Sequence, residues 1–466
     1  MPPEPSQLNR ASGAGRPAAP VRIVHVGLGN FFRAHQAWYT DRAPDADEWG
    51  IAAFTGRSAT MAQALDPQDG LYTLITRAAE VDSFDVISSV SAVHAASDHA
   101  AWLAYWRDPA VALVTLTITE AGYLRAADGS LDVTRDDVQA DIAALRADLC
   151  APVFTAPGKI VSGYLARREA RAGQLAVLPC DNLPDNGPAL RAVLADMIDA
   201  VDPSLTDWAE QNIAFGTTMV DRITPATTDE HRALVLATTG RADASPVPTE
   251  PFSEWVIQGD FPRGRPAWDA AGARIVADVV PFEQRKLWLL NGSHSLLAYA
   301  GPILGHETVA DAIADPVLRS WVEEWWDEAC RHLTLPESEI ADYRLALIDR
   351  YENPAIRHVL AQIAADGSQK LPVRIVPILR AERAAGRLPL GAARVIGAWV
   401  CHLRGLGAPV KDARAAEITA LVAGSLDDAV AATLAFLDAD LAGDELLSDA
   451  VLAHARDFDA RATASV

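Results

Sequence analysis

The sequence predicts two domains of different class, an α/β domain in the N-terminal part and a mostly α-helical domain in the C-terminal part. Short apolar runs typical of β-strands alternate with helical patterns early in the chain, as in a mainly parallel sheet. From Phe282 onward, helical periodicity dominates almost to the end. A length of 466 residues suits two or three domains. We predict a loose, disordered tail over residues 1–20, an α/β domain over residues 21–275 and a helical domain over residues 276–466.

The first element of the α/β domain is a strand, Arg22–Val26, which leads through the turn Gly27–Asn30 into a helix. Gly27 would allow the tight turn, and Gly29 would let the backbone approach a pyrophosphate at the helix N-terminus. Phe32 stands where the third glycine of the usual fingerprint would be, so this pattern is weak evidence by itself. Strand, glycine turn and helix together predict a Rossmann-type domain that binds a dinucleotide.

Short runs of apolar and β-branched residues indicate the remaining strands. These runs lie at Gly50–Thr55, Leu71–Thr76, Phe84–Val90, Ala112–Thr117, Leu175–Leu178 and Ile213–Met219. A helical pattern covers Asp98–Trp106. Asp181 and Asn182 follow the run that ends at Leu178, and open α/β sheets bind ligands just past the carboxyl ends of their strands. Asp-Asn pairs also form simple turns, which by composition is their commoner role.

The segment Glu283–His294 carries the strongest candidate for catalysis. Only four lysines occur among the 40 Lys and Arg residues, so a lysine kept in an apolar helix suggests a group that must lose its proton. At 100° per residue, Glu283, Asn291 and His294 lie within about 140° of Lys286 on an α-helix. One polar face on an otherwise apolar helix indicates an active site. A buried polar pair with a snorkelling lysine is the structural alternative.

A nucleotide site and a lysine-centred polar face together suggest the oxidation of a secondary alcohol. This reaction needs a hydride acceptor, a base and donors for the developing alkoxide. Lys286 would be the base, its pKa lowered by burial and by the charge of a nicotinamide. Asparagine amides would stabilise the oxyanion.

Composition excludes several other classes of partner. The four cysteines lie far apart without a CxxC motif and no Cys/His ligand cluster is visible, so we expect no metal site and a reducing cytoplasm. A formal net charge of −22 argues against nucleic acid and anionic membranes. No apolar run reaches membrane-spanning length. The expected partner is a small molecule, and the expected state is a monomer or a weak homo-oligomer.

At these residues the chain resembles the long-chain mannitol dehydrogenase family, which includes mannitol 2-dehydrogenase and fructuronate reductase. The matching segments are IVHVGLGNFFRAHQAWYTD, QDGLYTL, LTITEAGY, CDNLPDNG, MVDRITP, KLWLLNGSH and DGSQKLP, and they run in family order from residue 23 to residue 372. The resemblance implies a zinc-independent, NAD-dependent enzyme with a Rossmann-type N-terminal domain and a mostly α-helical C-terminal domain. The expected reaction interconverts a polyol and its ketose, with D-mannitol and D-fructose as the first choice.

Carried over residue by residue, the resemblance implies a role for each polar group of the lysine face. Lys286 would be the general acid/base, and Glu283 would gate proton exchange between Lys286 and water. Asn182 and Asn291 would form the oxyanion hole, and His294 would bind and orient the substrate.

Two departures from the family pattern concern the substrate and the cofactor. Asp221 and Lys370 would contact substrate hydroxyls, but Gln362 stands where mannitol 2-dehydrogenases tend to carry a substrate-binding arginine. This favours fructuronate reductase-like members, in which Arg374 could meet a carboxylate. No acid follows the second strand, where Arg57 could accommodate the 2′-phosphate of NADP, so NADP stays possible beside NAD.

The expected cofactor-binding residues are Gly27, Leu28, Gly29, Asn30, Phe31, Arg33, Arg57 and Glu120. Arg33 and His35 match the family motif and could equally serve packing, as could Glu120. Three alternatives to the mannitol reaction stay open: the D-mannonate/D-fructuronate pair, a mannitol 1-phosphate 5-dehydrogenase, and a catalytically silent NAD-binding regulator. A metal-dependent hydrolase would have to use acids such as Asp181, Asp185 and Asp221, without the paired histidines such sites need.

Overall fold

The structure, a computed structural model, describes residues 6–464 of the chain. Contacts within it define two units, Met1–Val280 and Pro281–Val466. Residues 1–5 of the predicted disordered tail lie outside the described residues. The next part of that tail is ordered, because Ser6–Gln7 pairs as a parallel strand with Arg241–Ala242. Leu8 and Ala14 are buried in an apolar cluster with Leu71, which the Pro- and Gly-rich composition of the segment did not indicate.

The first unit is built on a six-stranded parallel sheet. In spatial order its strands are Val90–His94, Gly50–Phe54, Val21–Val26, Leu113–Leu116, Leu175–Pro179 and Ile213–Phe215. Numbered along the chain this order is 3-2-1-4-5-6, which is the strand order of the Rossmann fold. Alternate residues of the first strand point to opposite faces, with Val24 in one buried apolar cluster and Ile23 in the other. The predicted class of the N-terminal domain is confirmed.

Helices of this unit connect the strands and cover the sheet. They are Asn30–Ala34, Gln36–Arg42, Thr60–Leu65, His99–Arg107, Asp136–Ala147, Ala156–Ala170, Asn186–Val201, Thr206–Asn212 and Asp229–Thr239, with 3-10 turns at Arg10–Ser12, Asp66–Gln68, Glu120–Tyr123 and Pro203–Leu205.

Some predicted strands do not belong to the parallel sheet. Tyr72–Thr76 pairs antiparallel with Ser83–Ile87 and parallel with Val247–Thr249 in a separate sheet. The predicted run Phe84–Val90 therefore divides, and the parallel sheet takes only the strand that begins at Val90. Another small sheet pairs Thr217–Asp221 with Glu254–Gln258, which also pairs with Arg274–Ile275. An apolar run does not specify its partner strand, so these pairings could not be derived from periodicity.

The second unit is helical, as predicted. Its helices are Val280–Arg285, Gly292–Ile303, Val309–Ala314, Pro316–Cys330, Glu337–Tyr351, Leu360–Ile363, Gly367–Arg374, Val376–Ala384, Leu390–Leu403, Ala415–Leu421, Leu426–Leu437 and Glu445–Ala464, and a π-helix covers Lys286–Asn291.

The helix Pro316–Cys330 shows how the sequence positions side chains near the lysine segment. Asp315 caps it by accepting the N–H of Val317, and proline at the first position lacks an N–H that would go unpaired. Buried residues recur at the spacing of one helix face, which places Trp325 and Trp326 in the core.

Candidate active site

The glycine turn lies at the carboxyl edge of the parallel sheet. Gly27 has a φ of 107°, and a Cβ atom there would lie 2.2 Å from the carbonyl oxygen of Thr117. The N–H of Gly27 donates to the carbonyl of Phe54 over 3.0 Å. Gly29 is the N-cap of the helix Asn30–Ala34, and a Cβ atom built on it has its nearest contact at 3.6 Å. The turn is therefore fixed at Gly27 and open at Gly29, as the approach of a pyrophosphate requires.

Aromatic packing supports the turn from below. Phe32, at the position of the missing third glycine, stacks on the imidazole of His25 with 3.6 Å between ring centroids. His25 Nε2 lies 3.1 Å from the hydroxyl of Thr117, which donates to the carbonyl of Gly27 over 2.8 Å. Burial lowers the pKa of His25 to about 3, so this imidazole is neutral. The first strand, the glycine turn and the segment after the fourth strand thus form one network.

Arg33 and His35 lie beneath the turn. The guanidinium of Arg33 is fully buried and donates to the carbonyl of Ser245 over 2.5 Å and to the side chain of Asn30 over 2.6 Å. His35 is also fully buried, with Nε2 3.0 Å from the carbonyl oxygen of Glu254. Their contacts are those of packing residues. Leu28, another predicted cofactor residue, has a buried side chain, while Phe31 is half-buried.

Asn30 connects the glycine turn with the segment that follows Asp221. Its amide donates to the carbonyl of Pro225 and to the hydroxyl of Thr227, each over 3.0 Å. Asp221 is the last residue of the strand Thr217–Asp221 and is 3 % exposed. Two segments that lie about 200 residues apart are therefore neighbours.

Asn182 is exposed just past the end of the strand Leu175–Pro179. The preceding carboxyl, Asp181, accepts a hydrogen bond from the hydroxyl of Tyr123 over 2.6 Å. Burial raises the pKa of Asp181 to about 6, and the nearby carboxylate of Glu120 adds to the rise. Glu120 and Asn182 therefore belong to the same edge of the sheet.

A buried amide joins Asn182 and Asp221 indirectly. Asn186 donates to the carbonyl of Thr218 over 3.0 Å and accepts the N–H of the same residue over 3.1 Å. It thereby ties the segment after Asn182 to the strand that ends at Asp221. Arg57 is exposed three residues after the strand Gly50–Phe54, whose last carbonyl receives the N–H groups of the glycine turn.

The lysine segment of the second unit is not the α-helix we predicted. Lys286–Asn291 is a π-helix, and the N–H of Gly292 donates to the carbonyl of Leu287, five residues earlier. On an α-helix Lys286 and Asn291 would be about 140° apart. Bonds that join residues five apart instead bring these two positions one turn apart on one face. Glu283 lies half-buried in the preceding α-helical segment.

His294 follows the π-helix and is 6 % exposed. Within residues 6–464 its Nε2 atom is buried and has no hydrogen-bond partner. Its ring lies 5.0 Å from the rings of Tyr351 and His358. Burial, then the nearby cationic groups, hold the pKa of His294 well below its usual range, so the imidazole is neutral. A neutral ring with an unpartnered buried nitrogen can bond a substrate oxygen.

Three cationic side chains lie near His294. Arg350, Arg374 and Lys370 all lie close enough to lower its pKa. Arg374 donates to the carbonyl of Asn291 over 3.3 Å and to the hydroxyl of Ser295 over 3.2 Å. Lys370 donates to the carbonyls of Ile363 and Ala365 over 3.1 and 2.5 Å, and an ammonium has a third donor available. Gln362 is exposed nearby in the chain.

Sequence reasoning missed several residues of this arrangement. Tyr351 and His358 border His294, and His25, Thr117 and Tyr123 support the cofactor-side turn and Asp181. For Thr117 and Tyr123 the matched motif LTITEAGY contains them, so motif membership was the available signal. Tyr351 and His358 lie in no motif that we used.

Between residues 6 and 464, no group of three or more His, Cys, Asp or Glu side chains is arranged to hold a metal ion. In the same part of the chain, no helix combines the length and the apolar character that crossing a membrane requires.

A Rossmann strand order with a glycine turn open at its carboxyl edge defines a dinucleotide-binding domain, here followed by a helical domain with a lysine–asparagine–histidine run. The chain belongs to the mannitol dehydrogenase family: the mannitol dehydrogenase Rossmann domain matches residues 21–270, and the mannitol dehydrogenase C-terminal domain matches residues 278–457. The resemblance drawn from the sequence motifs is thereby confirmed, and with it the assignment to polyol oxidoreductases.

Proteins of similar sequence or structure match most of this chain. D-mannonate oxidoreductase of Escherichia coli K12 is 38 % identical over 395 residues, covering 83 % of this chain and 80 % of that protein. Mannitol 2-dehydrogenase of Cereibacter sphaeroides is 36 % identical over 396 residues, covering 82 % and 81 %. The structure of Pseudomonas fluorescens mannitol 2-dehydrogenase in ternary complex with NAD and D-mannitol matches 99 % of this chain and 96 % of its own, with 31 % identity and a TM-score of 0.80.

Proposed function

We propose that the chain is a zinc-independent, NAD(P)-dependent oxidoreductase that interconverts an open-chain polyol and its ketose, with Lys286 as the general acid/base. The observation that carries this proposal is the π-helical turn, which brings Lys286 and Asn291 to one face directly before the unpartnered imidazole nitrogen of His294. A base, an amide donor and a neutral imidazole are the groups that alcohol oxidation without a metal requires. We also propose a cytoplasmic location and a monomeric or weakly homo-oligomeric state.

Each residue has a defined part in the proposed reaction. Lys286, in its neutral form, takes the proton of the reacting hydroxyl, and Glu283 passes that proton to water. The amides of Asn182 and Asn291 donate to the developing alkoxide. His294 bonds a neighbouring substrate oxygen through Nε2, and Asp221 and Lys370 contact further hydroxyls.

Residues at the carboxyl edge of the sheet would hold the cofactor. The open side of the glycine turn fits a pyrophosphate, with Gly27, Gly29 and Asn30 forming the turn. NAD, when bound there, supplies the hydride acceptor. Glu120 would lie on the nicotinamide side. Arg33 would act by supporting the turn from below.

The substrate pair we propose first is D-mannitol and D-fructose, in keeping with the P. fluorescens relative. D-mannonate and D-fructuronate form the second candidate, and the cationic side chains around His294 favour it. A carboxylate that meets Arg374 would gain a charge-assisted hydrogen bond of about 1.5–3 kcal/mol, or about 10- to 10²-fold in affinity.

The deciding experiment compares kcat/KM for reduction of D-fructose and D-fructuronate. A preference for D-fructose that Arg374→Ala leaves unchanged supports the mannitol pair. A preference for D-fructuronate that Arg374→Ala removes, and that Arg414→Ala retains, establishes the sugar-acid pair. Arg414 is a suitable control because its ion pair with Glu417 is exposed. Absence of hydride transfer with either substrate and with a wider polyol and sugar-phosphate panel would contradict the proposed function.

Arg57 provides a test of cofactor choice. An exposed arginine that replaces the usual acid after the second strand suits a 2′-phosphate better than a 2′-hydroxyl. We expect Arg57→Ala to lower kcat/KM with NADP about 10- to 10²-fold while leaving kcat/KM with NAD nearly unchanged. Equal losses with both cofactors would show that Arg57 does not face the 2′-position.

A further inference from the structure

The π-helix at Lys286–Asn291 is not explained by its own sequence. Lys and Leu, which fill four of its six positions, are strong α-helix formers, and neither Gly nor Pro interrupts the segment. π-helices are rare and short, and they occur frequently at functional sites. The hydroxyl of Ser293, two residues after the segment, contacts the carbonyls of Leu289 and Leu290. Side chains from elsewhere in the helical unit make further contacts with the segment.

Two adjacent tryptophans supply the first of these contacts. The indole N–H of Trp325 donates to the carbonyl of Trp288 over 2.8 Å, and that of Trp326 donates to the carbonyl of Leu289 over 2.9 Å. Where helical bonding changes from residues four apart to residues five apart, carbonyls lose their usual partners. The two indoles give substitute donors to carbonyls inside the π-helix.

The next two carbonyls also receive side-chain donors. The hydroxyl of Tyr351 donates to the carbonyl of Leu290 over 3.2 Å. Arg374 donates to the carbonyl of Asn291 over 3.3 Å. Four consecutive carbonyls of the segment are thus bonded by side chains from three other helices, and this set of contacts fixes the turn from outside.

The tryptophans are held rigidly in place. Trp325 and Trp326 are 0 % and 1 % exposed. A Cβ atom on Gly292 would lie 2.6 Å from Trp325 Nε1, so only glycine at the end of the π-helix lets this indole reach its acceptor. The burial of Trp325 and the missing side chain of Gly292 together allow the indole to lie against the π-helix.

We propose that Trp325 and Trp326 are positioning residues for the chemistry at Lys286 and Asn291. Their indole N–H groups hold the π-helical turn, and the turn places the amine and the amide one above the other. An α-helical turn would separate these two positions by about 140° and would remove the amide from the reacting oxygen. This inference rests on the proposed function, since it assigns the two residues their roles in proton transfer and alkoxide stabilisation.

The test removes each N–H donor while keeping an aromatic ring, with Trp325→Phe and Trp326→Phe. We expect kcat to fall about 10²-fold, which is the typical cost of misplacing catalytic groups by about 1 Å. The pH dependence of kcat should also shift, because it reports the environment of Lys286. NADH binding should stay unchanged. Crystal structures of the variants should show residues 286–291 rewound toward an α-helix.

Trp321→Phe is the matched control, since Trp321 lies one turn earlier on the same helix and packs edge-on against Phe458. It should retain the kcat and pH profile of the wild type even if its Tm falls. If a phenylalanine variant does not fold, β-(3-benzothienyl)alanine at position 326 keeps the bicyclic shape and lacks the N–H. The inference is overturned if the variants at 325 and 326 keep the wild-type kcat and pH profile, or if slow variants retain the π-helix. Failure of the proposed function is a separate outcome, recognised when Lys286→Ala remains fully active.

Discussion

The two glycines of the nucleotide turn should respond differently to substitution by alanine. At Gly27 the φ of 107° and a Cβ position 2.2 Å from a backbone oxygen give both backbone strain and overpacking. These effects cost about 1–3 kcal/mol each, so Gly27→Ala should lose about 2–6 kcal/mol and at least about 4 °C in Tm. At Gly29 the φ is −128° and the nearest contact is at 3.6 Å, so Gly29→Ala should keep a Tm close to that of the wild type.

The effect of Gly29→Ala should appear in cofactor binding. Its methyl group would stand where a pyrophosphate approaches the backbone, and we expect the Kd for NADH to rise about tenfold or more, equivalent to about 1.4 kcal/mol. Thermal unfolding and fluorescence titration with NADH measure the two quantities separately. Gly240→Ala is the control for backbone strain without overpacking, because Gly240 has a φ of 69° and a Cβ atom there would meet nothing within 4 Å. A wild-type Kd in Gly29→Ala, or a loss of Tm equal to that of Gly27→Ala, would refute this reasoning.

Two further predictions concern acid stability and metals. Hydrogen bonds to the carboxylate of Glu382, first from Arg387 and then from His332 and Arg331, lower its pKa from 4.5 to about 2. The ionised carboxylate therefore stabilises the fold above pH 4.5. This contribution is lost as the pH falls toward 2. Glu382→Gln should therefore lower Tm at pH 7, and the difference in Tm from the wild type should shrink between pH 4.5 and 2. A Tm difference that stays constant over this range would contradict the lowered pKa of Glu382. Because Lys286 and the asparagine amides carry the proposed chemistry, prolonged dialysis against a strong chelator should leave kcat unchanged, and a loss that zinc restores would contradict the mechanism.

The parallel sheet could be predicted because its strands are buried on both faces and appear as short apolar runs between helical patterns. Val21–Val26 and Leu113–Leu116 are examples, and the glycine turn follows the first of them as predicted. Pairing partners could not be predicted in the same way. Tyr72–Thr76 has the composition of a sheet strand, but it pairs with Ser83–Ile87 outside the parallel sheet.

The π-helix was beyond sequence reasoning for a physical reason. Its donors, Trp325 and Trp326, each lie 37 residues from the carbonyls that they bond, and nothing inside Lys286–Asn291 signals a change of helical repeat. An α-helical wheel put Asn291 about 140° from Lys286, at the far limit of the polar face, so these candidates were found with the wrong local geometry.

The scarcity of lysine was a less specific signal than it first suggested. Lys159 is also buried, at 7 % exposure, and donates to the carbonyl of Ala96 over 2.5 Å. Scarcity alone therefore selects a lysine with a structural contact as readily as a catalytic one. The spacing of Lys286 to Asn291 and His294 is the reason we chose Lys286, and its catalytic role stays a prediction. Likewise, Arg33 belongs to a cofactor motif, but motif membership did not show that its side chain points into the core.

The measurement that tests the central claim most directly is the kcat of Lys286→Ala beside its affinity for NADH. If Lys286 is the general acid/base, kcat should fall about 10²- to 10⁴-fold while the Kd for NADH, read by fluorescence, stays at the wild-type value. Lys286→Arg should be equally slow, because a guanidinium keeps its proton, and Lys411→Ala should be fully active as the control for loss of an exposed lysine. A kcat near the wild-type value in Lys286→Ala would contradict the account.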